Sequence, residues 1–265
     1  MNCWICGQAA NSKEHIIKKS NVTRIYGNGP YKGENALAHV KNGKLQLVQG
    51  PNSKKIKYKS SLCHNCNTTK TQPFDFAYDT FINYLYKNED HILRKRFIDF
   101  FDVYGADFEV GQRNLYKYLA KSFGCRLHDV GISIPPDIVS VFQKESFKTG
   151  LRINFSVNED VLILPKEDRD GFIGNGDLLI WLDKNDQTIV NGYTWNEHVS
   201  WLFFSYWYLM APDGNLGSTW VADSQHVYLG CQQPLSEEER MELKQKIQMA
   251  KCDHSSCQTS PFTGW

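Results

Sequence analysis

The sequence predicts an α+β protein with a zinc-stapled N-terminal module, a helical middle and a mixed, β-rich C-terminal domain. Two Cys-x-x-Cys pairs, one starting at Cys3 and the other at Cys63, lie sixty residues apart. Apolar residues then recur every three or four positions, which is typical of amphipathic helices. From Gly150 onward the pattern changes to short apolar runs separated by Gly, Asn and Asp, as in a β-rich domain. We place the three parts at residues 1–74, 75–149 and 150–265.

The N-terminal part predicts short elements around the cysteines. Gly7 permits a tight turn after the first pair, and residues 14–19 can extend as a strand because Ile16 and Ile17 are β-branched. Residues 40–48 alternate around Asn42-Gly43, which predicts a hairpin. A short helix should start at Cys63, and Pro73 should end it and allow a second helix to begin.

The middle and C-terminal parts predict helices followed by strands. Helical spacing covers residues 73–123, with Gly124 as a helix end, and Pro135-Pro136 opens another helix that runs to about Phe147. Residues 195–210 fit a buried strand or a buried helix, and Ser236 with Glu239 forms a capping box that starts a last helix. The predicted strands are residues 151–157, 161–164, 178–182, 188–190, 219–222 and 227–229.

The four N-terminal cysteines are the expected ligands of one structural zinc ion. Two Cys-x-x-Cys pairs can each wrap one side of a tetrahedral ion, so the predicted ligands are Cys3, Cys6, Cys63 and Cys66. Four thiolates leave no coordination position for water, and the zinc should therefore support folding and not catalysis. A plain zinc ribbon without activity is the simpler alternative.

Two further stretches beside the cysteines carry chemistry. Glu14-His15-Ile16-Ile17 follows the first pair, and the second pair continues as Cys66-Asn67-Thr68-Thr69-Lys70. Over residues 3–70 this pattern resembles the zinc-containing branch of the HNH, or His-Me finger, endonucleases. The resemblance implies a ββα-metal nuclease fold for the module and hydrolysis of DNA phosphodiester bonds.

The resemblance also implies roles for three side chains. His15 would be the general base, while Glu14 and Asn67 would hold one catalytic Mg²⁺ or Mn²⁺, with 5′-phosphate and 3′-hydroxyl products. The sequence departs from the family pattern at two positions: Lys18 stands where a proline is common, and Tyr58 replaces the middle asparagine that braces the loop of the general base. Either Asn52 or a backbone group takes the place of that asparagine, or the loop is braced differently.

Charge is distributed unevenly along the chain. Residues 1–72 hold twelve Lys and Arg against two Glu, a net charge of +10, so the overall +1 leaves −9 for the remainder. A positive surface of this kind suits DNA, and RNA stays an alternative. The lysines expected to contact nucleic acid are Lys18, Lys19, Lys54, Lys55, Lys57 and Lys70.

The resulting hypothesis is a metal-dependent HNH endonuclease, or a nickase, whose C-terminal domain serves recognition or assembly. By analogy with stand-alone HNH enzymes we expect a role in phage defence, restriction or a mobile element. The alternative is a non-catalytic zinc-containing module that binds nucleic acid. A homodimer or a partner protein could use the C-terminal domain, and aromatic residues between Tyr193 and Tyr208 belong to a core more readily than to a base-stacking surface.

No apolar run approaches the roughly 20 residues of a membrane span, and no secretory leader opens the sequence. These absences predict a cytoplasmic protein with reduced thiols and without membrane partners.

Overall fold

The computed structural model describes residues 1–41, 44–143, 148–210 and 219–256. Its helices are α1 (Lys19–Tyr26), α2 (His64–Asn67), α3 (Gln72–Lys87), α4 (Glu89–Lys95), α5 (Phe100–Tyr104), α6 (Phe108–Asp129), α7 (Pro136–Gln143), α8 (Lys166–Asp170) and α9 (Glu237–Ser256). Its strands are β1 (Leu37–Lys41), β2 (Lys44–Val48), β3 (Phe97–Asp99), β4 (Leu151–Asn158), β5 (Ile173–Asn175), β6 (Leu179–Leu182), β7 (Val190–Val199), β8 (Leu202–Leu209), β9 (His226–Tyr228) and β10 (Gly230–Gln232). The chain is therefore a mixed α+β protein, as the sequence predicts.

The largest sheet has six strands. Five follow the order β10-β4-β8-β7-β5, and β6 pairs with the same strand, β7, as β5 does. Only the β10–β4 pairing is parallel among these described strands. The pairs β1–β2 and β3–β9 form two separate two-stranded antiparallel sheets.

One face of the large sheet packs against α3 and α6. Phe81 of α3 has its ring 6.0 Å from that of Phe155 and 6.4 Å from that of Phe204, while Phe123 of α6 stacks on Tyr206 at 5.8 Å. Each such aromatic side chain contributes about 1.5–3 kcal/mol on burial. The core that they form includes buried side chains from all three parts of the chain, among them Cys3, Cys63 and Cys66.

The cysteine-rich module packs directly on α6. A Cβ atom at Gly124 would lie 2.7 Å from Cζ2 of Trp4, so this glycine leaves the space that the indole ring occupies. The prediction that Gly124 ends its helix is wrong, because α6 continues to Asp129. Glycine costs a helix interior about 1 kcal/mol, and the Trp4 contact offsets that cost.

Several predicted elements are confirmed. The hairpin forms between β1 and β2 with Val40 opposite Leu45, although Asn42-Gly43 lies outside the described residues. Helix α2 starts after Cys63, and α3 begins with proline in its first turn. Helix α7 starts at Pro136, but its predicted end at Phe147 also lies outside the described residues.

The C-terminal predictions are confirmed in part. Residues 195–210 form strands, with β7 and β8 in place of one long element. At the start of α9 the Ser236 N–H donates to Glu239 Oε2 at 2.8 Å, and the Glu239 N–H donates to Ser236 Oγ at 3.2 Å, which is the expected capping box. Residues 219–222 contribute only an isolated bridge from Trp220 to Ile153.

Two predicted strands are wrong. Residues 14–19 form one isolated bridge at His15, and α1 begins at Lys19. Residues 161–163 form a 3₁₀ turn, because Asn158 Oδ1 accepts hydrogen bonds from the backbone N–H groups of Asp160 and Val161. Such local bonds compete with strand pairing and outweigh the β-propensity of Val161.

Within the described residues, every helix is too short or too polar to cross a lipid bilayer.

Candidate metal and nuclease site

The four N-terminal cysteines converge on one point. Their sulfur atoms, one each from Cys3, Cys6, Cys63 and Cys66, all lie within 4.8 Å of one another. The Sγ atoms of Cys6 and Cys63 are 3.6 Å apart, close to the roughly 3.8 Å expected for two thiolates at 2.3 Å from a tetrahedral zinc. The cluster can therefore hold a metal ion, and its ligands are those that zinc prefers.

Two backbone hydrogen bonds shape the chain around the cysteine cluster. Gly7 adopts φ +78°, so the chain turns and the Gly7 N–H donates to the Cys3 carbonyl at 2.8 Å. The Cys66 N–H donates to Cys63 Sγ at 3.3 Å, and this bond is the main reason that the pKa of Cys63 falls to about 7. This bond favours the thiolate form of Cys63, whereas burial raises the pKa of Cys66.

The cysteine cluster holds two distant segments side by side. Ser12 pairs with Leu62 and His15 pairs with Lys57 as isolated antiparallel bridges. Between them the Tyr58 N–H donates to the Glu14 carbonyl at 2.9 Å. This short ladder joins the segment that carries Glu14 and His15 to the segment that leads directly into α2.

His15 is held by a backbone carbonyl. Its Nε2 lies 3.2 Å from the Pro51 carbonyl oxygen, which can only accept a hydrogen bond, so Nε2 carries the proton and Nδ1 has a free lone pair. Burial, and then the positive charge of Lys57, lower the pKa of His15 to about 4. The imidazole is therefore neutral at pH 7, with Nδ1 able to accept a proton.

The brace for this histidine is thus a backbone group, one of the two substitutes expected for the missing asparagine. Tyr58 does not take that role: its ring is buried at 1% exposure, and its hydroxyl finds no hydrogen-bond partner among the described residues.

Glu14 faces a lysine from a remote helix. The glutamate is 7% exposed, and its Oε2 lies 3.3 Å from Nζ of Lys121, which is 1% exposed. Lys121 also lies 3.2 Å from Oδ1 of Asp75. Burial by itself would lower the pKa of Lys121, but Glu14 and then Asp75 outweigh it and raise that pKa, so Lys121 stays charged.

Asn67 presents an oxygen without a protein partner. Its Nδ2 donates to Ser12 Oγ at 2.9 Å and to the Lys13 carbonyl at 3.4 Å, and these bonds fix which atom is Oδ1. That Oδ1 is buried, and no hydrogen-bond partner for it exists among the described residues. A buried oxygen without a hydrogen-bond partner costs folding free energy unless something binds it, and such an oxygen can serve as a ligand of a hard cation such as Mg²⁺.

The structure separates the predicted lysines into two groups. Lys18 turns inward, where it pairs with Asp75 and its Nζ lies 4.8 Å from the Tyr118 ring centroid. The prediction that Lys18 contacts nucleic acid must therefore be corrected, since its charge is already used within the protein. The exposed predicted lysines are Lys19, Lys54, Lys55 and Lys70, and Lys57 is half-buried.

A surface groove has Pro51, whose carbonyl contacts His15, in its wall. It has a volume of about 830 Å³, and its walls come from residues 28–30 and from 47–55, which include Pro51, the carbonyl partner of His15. Lys54 and Lys55 line it and supply positive charge. A phosphate chain lying in this groove would pass the residues that hold the imidazole.

Sequence reasoning missed Lys121, because lysine is rarely buried and nothing local marks this one as a partner of Glu14. Lys121 lies between Leu119 and Phe123, two apolar residues of a predicted helix, and this position could have indicated that the lysine is buried.

Comparison with protein-family models, with curated proteins and with solved structures gives no match to this chain.

Proposed function

We propose that this protein is a metal-dependent endonuclease of the HNH kind, which hydrolyses phosphodiester bonds in DNA, with a structural zinc in the four-cysteine cluster. The observation that carries the proposal is the state of His15. Its imidazole is neutral, its Nε2 proton is directed at the Pro51 carbonyl, and its Nδ1 is left as a base.

In this proposal His15 Nδ1 takes a proton from the water that attacks phosphorus. The Pro51 carbonyl keeps the ring in the correct tautomer and orientation, and it stabilises the imidazolium that forms. Partial burial of the imidazole ring reduces its contact with bulk water. The pKa of about 4 keeps the imidazole of His15 neutral well below pH 7, and it also makes this imidazole a weaker base than one whose pKa lies near 7.

In this proposal Asn67 Oδ1 and the Glu14 carboxylate would hold a catalytic divalent cation; the support is that Asn67 Oδ1 is buried without a hydrogen-bond partner among the described residues. Lys121 engages Glu14 Oε2, while Oε1 has no hydrogen-bond partner among the described residues, so one carboxylate oxygen is open to a metal. The chemistry that Mg²⁺ or Mn²⁺ supplies when bound is neutralisation of charge on the phosphate and on the leaving 3′ oxygen. Lys121 orients Glu14 through their ion pair.

The groove that Pro51 lines is the proposed path of the nucleic acid. Lys54 and Lys55 lie along it, and their charges are exposed to solvent. Phosphate contacts of this kind hold the backbone without reading its sequence.

A purified, zinc-loaded protein tests the proposal with supercoiled plasmid, single-stranded DNA and RNA, each with Mg²⁺, Mn²⁺ or EDTA. Divalent-dependent nicking or cutting by the wild type, absent in His15→Ala, supports the endonuclease. The binding module without catalysis is the second candidate, favoured by the contact between Glu14 and Lys121, which already balances the carboxylate. That candidate predicts DNA binding by both proteins and cleavage by neither.

A further inference from the structure

The six-stranded sheet has two chemically different faces. On the side that packs against helices, β4 contributes Leu151, Ile153, Phe155 and Val157, all fully buried. Because successive side chains in a strand point to opposite faces, the other face receives the polar residues between them. On the strands β4, β7, β8 and β10 these are Arg152, Asn154, Ser156, Thr194, Asn196, Ser205 and Gln232.

This polar face contains a cavity of about 240 Å³. It is lined by Asn154, Ser205, Trp207, Thr219 and Gln232, so four of its five walls carry an amide or a hydroxyl and none carries a charge. Asn154 and Ser205 sit directly opposite each other across β4 and β8. Among the described residues, the side chains of Ser205, Thr219 and Gln232 have no hydrogen-bond partner, although Ser205 is only 6% exposed.

Trp207 gives the cavity an aromatic wall. Its ring is half-buried and meets Trp181 edge-on, with the two ring centroids 5.0 Å apart and their planes at 88°. The edge contact of Trp181 fixes the ring of Trp207 in place. Most large aromatic side chains of β7 and β8, among them Trp195 and Tyr206, lie in the core as the sequence indicates, whereas Trp207 and Phe203 are half-buried on the other face.

We propose that this cavity binds a single nucleobase, either within a polynucleotide or as a free nucleotide. Asn154 Oδ1 already accepts a hydrogen bond from Ser156 Oγ at 2.7 Å, so the amide that would pair with the donor and acceptor edge of a base is that of Gln232. The indole ring of Trp207 can stack on the flat surface of the base. The volume is below the roughly 300–1,000 Å³ of drug-sized pockets, which suits one base and excludes a dinucleotide. The uncharged lining disfavours carboxylate or phosphate groups inside the cavity, which places any phosphate outside it.

The inference does not depend on nuclease activity. The cavity involves neither His15 nor the four cysteines, and binding can be measured without added divalent cation. If both proposals hold, the C-terminal sheet reads a base while the N-terminal module cuts the backbone.

The test is isothermal titration of zinc-loaded protein with the four common deoxynucleosides, their 5′-monophosphates and short single-stranded oligonucleotides. We expect at least one nucleoside to bind with a Kd below 1 mM. Trp207→Ala should weaken that binding about tenfold or more, through loss of stacking. Gln232→Ala, at the end of an edge strand, should weaken it several-fold, whereas Gln187→Ala in an exposed turn should leave it unchanged.

Circular dichroism of both cavity variants establishes that they fold, and Gln232→Ala keeps the test valid if Trp207→Ala does not. The source of the base follows from the comparison of monophosphates with oligonucleotides, and preferential binding of either class supports the proposal. Absence of binding by every probe at 5 mM overturns it. Binding that survives unchanged in the folded cavity variants overturns it as well.

Discussion

Replacement of Lys121 by methionine should destabilise the protein, because Lys121 is the buried counter-charge of Glu14. Its Nζ lies 3.3 Å from Glu14 Oε2 and 3.2 Å from Asp75 Oδ1, and its side chain is 1% exposed. At an effective dielectric constant of 20, each pair attracts with about 5 kcal/mol before desolvation is counted. Asp75 keeps Lys18 as a partner, so Glu14 is the group left uncompensated.

Removal of one member of a buried ion pair costs about 3–5 kcal/mol, and we expect Lys121→Met to lower the free energy of unfolding by that amount. Urea unfolding of zinc-loaded protein at pH 7 measures the change. A second substitution, Glu14→Gln, should restore at least ~1 kcal/mol in the Lys121→Met background, because it removes the stranded charge.

Arg113→Met on the same helix is the matched control. Arg113 is exposed and has no ion pair among the described residues, so its replacement should change stability by less than about 0.5 kcal/mol. A Lys121→Met protein within ~1 kcal/mol of the wild type would refute the reasoning. So would a double variant that shows no recovery.

Three other predictions concern the metal, a buried acid and the groove. Cys63→Ser should abolish binding of one zinc per chain, measured by elemental analysis, and unfold the N-terminal module, since structural zinc contributes about 10–16 kcal/mol in zinc-finger peptides; a folded, zinc-loaded variant contradicts the site. Burial raises the pKa of Glu197 from 4.5 to about 7. The contribution of Glu197 to the free energy of unfolding is therefore fully present below pH 4.5, where the acid is protonated in both states, and is lost as the pH rises through 7. The loss should reach about 3 kcal/mol by pH 8 and be absent in Glu197→Gln; equal pH profiles in urea unfolding would falsify the assignment. Charge reversal of Lys54 and Lys55 should weaken DNA binding and reduce the slope of log affinity against log salt by about 2, whereas reversal of the exposed Lys87 should not; the same slope in all three proteins excludes the groove.

Local signals in the sequence predicted local structure well. The alternation on either side of Asn42-Gly43 fixed the hairpin, and the proline at position 73 marked the start of α3. The capping box at Ser236 placed the start of α9 within one residue. In these cases hydrogen bonds or steric restrictions between near neighbours decide the conformation.

Elements that depend on distant contacts were missed. Helix α1 has β-branched and polar residues with little helix propensity, yet its Ser20 Oγ donates to Asp79 and its Asn21 Nδ2 donates to the Tyr78 hydroxyl, both on α3. These tertiary bonds outweigh propensity. The inward turn of Lys18 depends in the same way on Asp75, which is 57 residues away.

The candidate site shows the same division. The cysteine spacing was enough to predict that the four cysteines converge on one point that can hold a metal ion. The brace of His15 by the Pro51 carbonyl and the pairing of Glu14 with Lys121 could not be read from the sequence, because both join residues that are far apart in the chain. The polar face of the sheet likewise appears only when β4, β8 and β10 are placed next to each other.

The most direct test of the endonuclease proposal is the single-turnover rate of DNA cleavage with Mn²⁺ in His15→Ala and in His64→Ala. His64 lies exposed between the second pair of cysteines. His64→Ala therefore removes a histidine next to the zinc ligands and leaves the proposed general base, His15, in place. We predict a loss of about 10²–10⁴-fold for His15→Ala, with unchanged zinc content and DNA affinity, and a wild-type rate for His64→Ala. Equal rates in the two variants, or no divalent-dependent cleavage by the wild type on any substrate, would contradict the account.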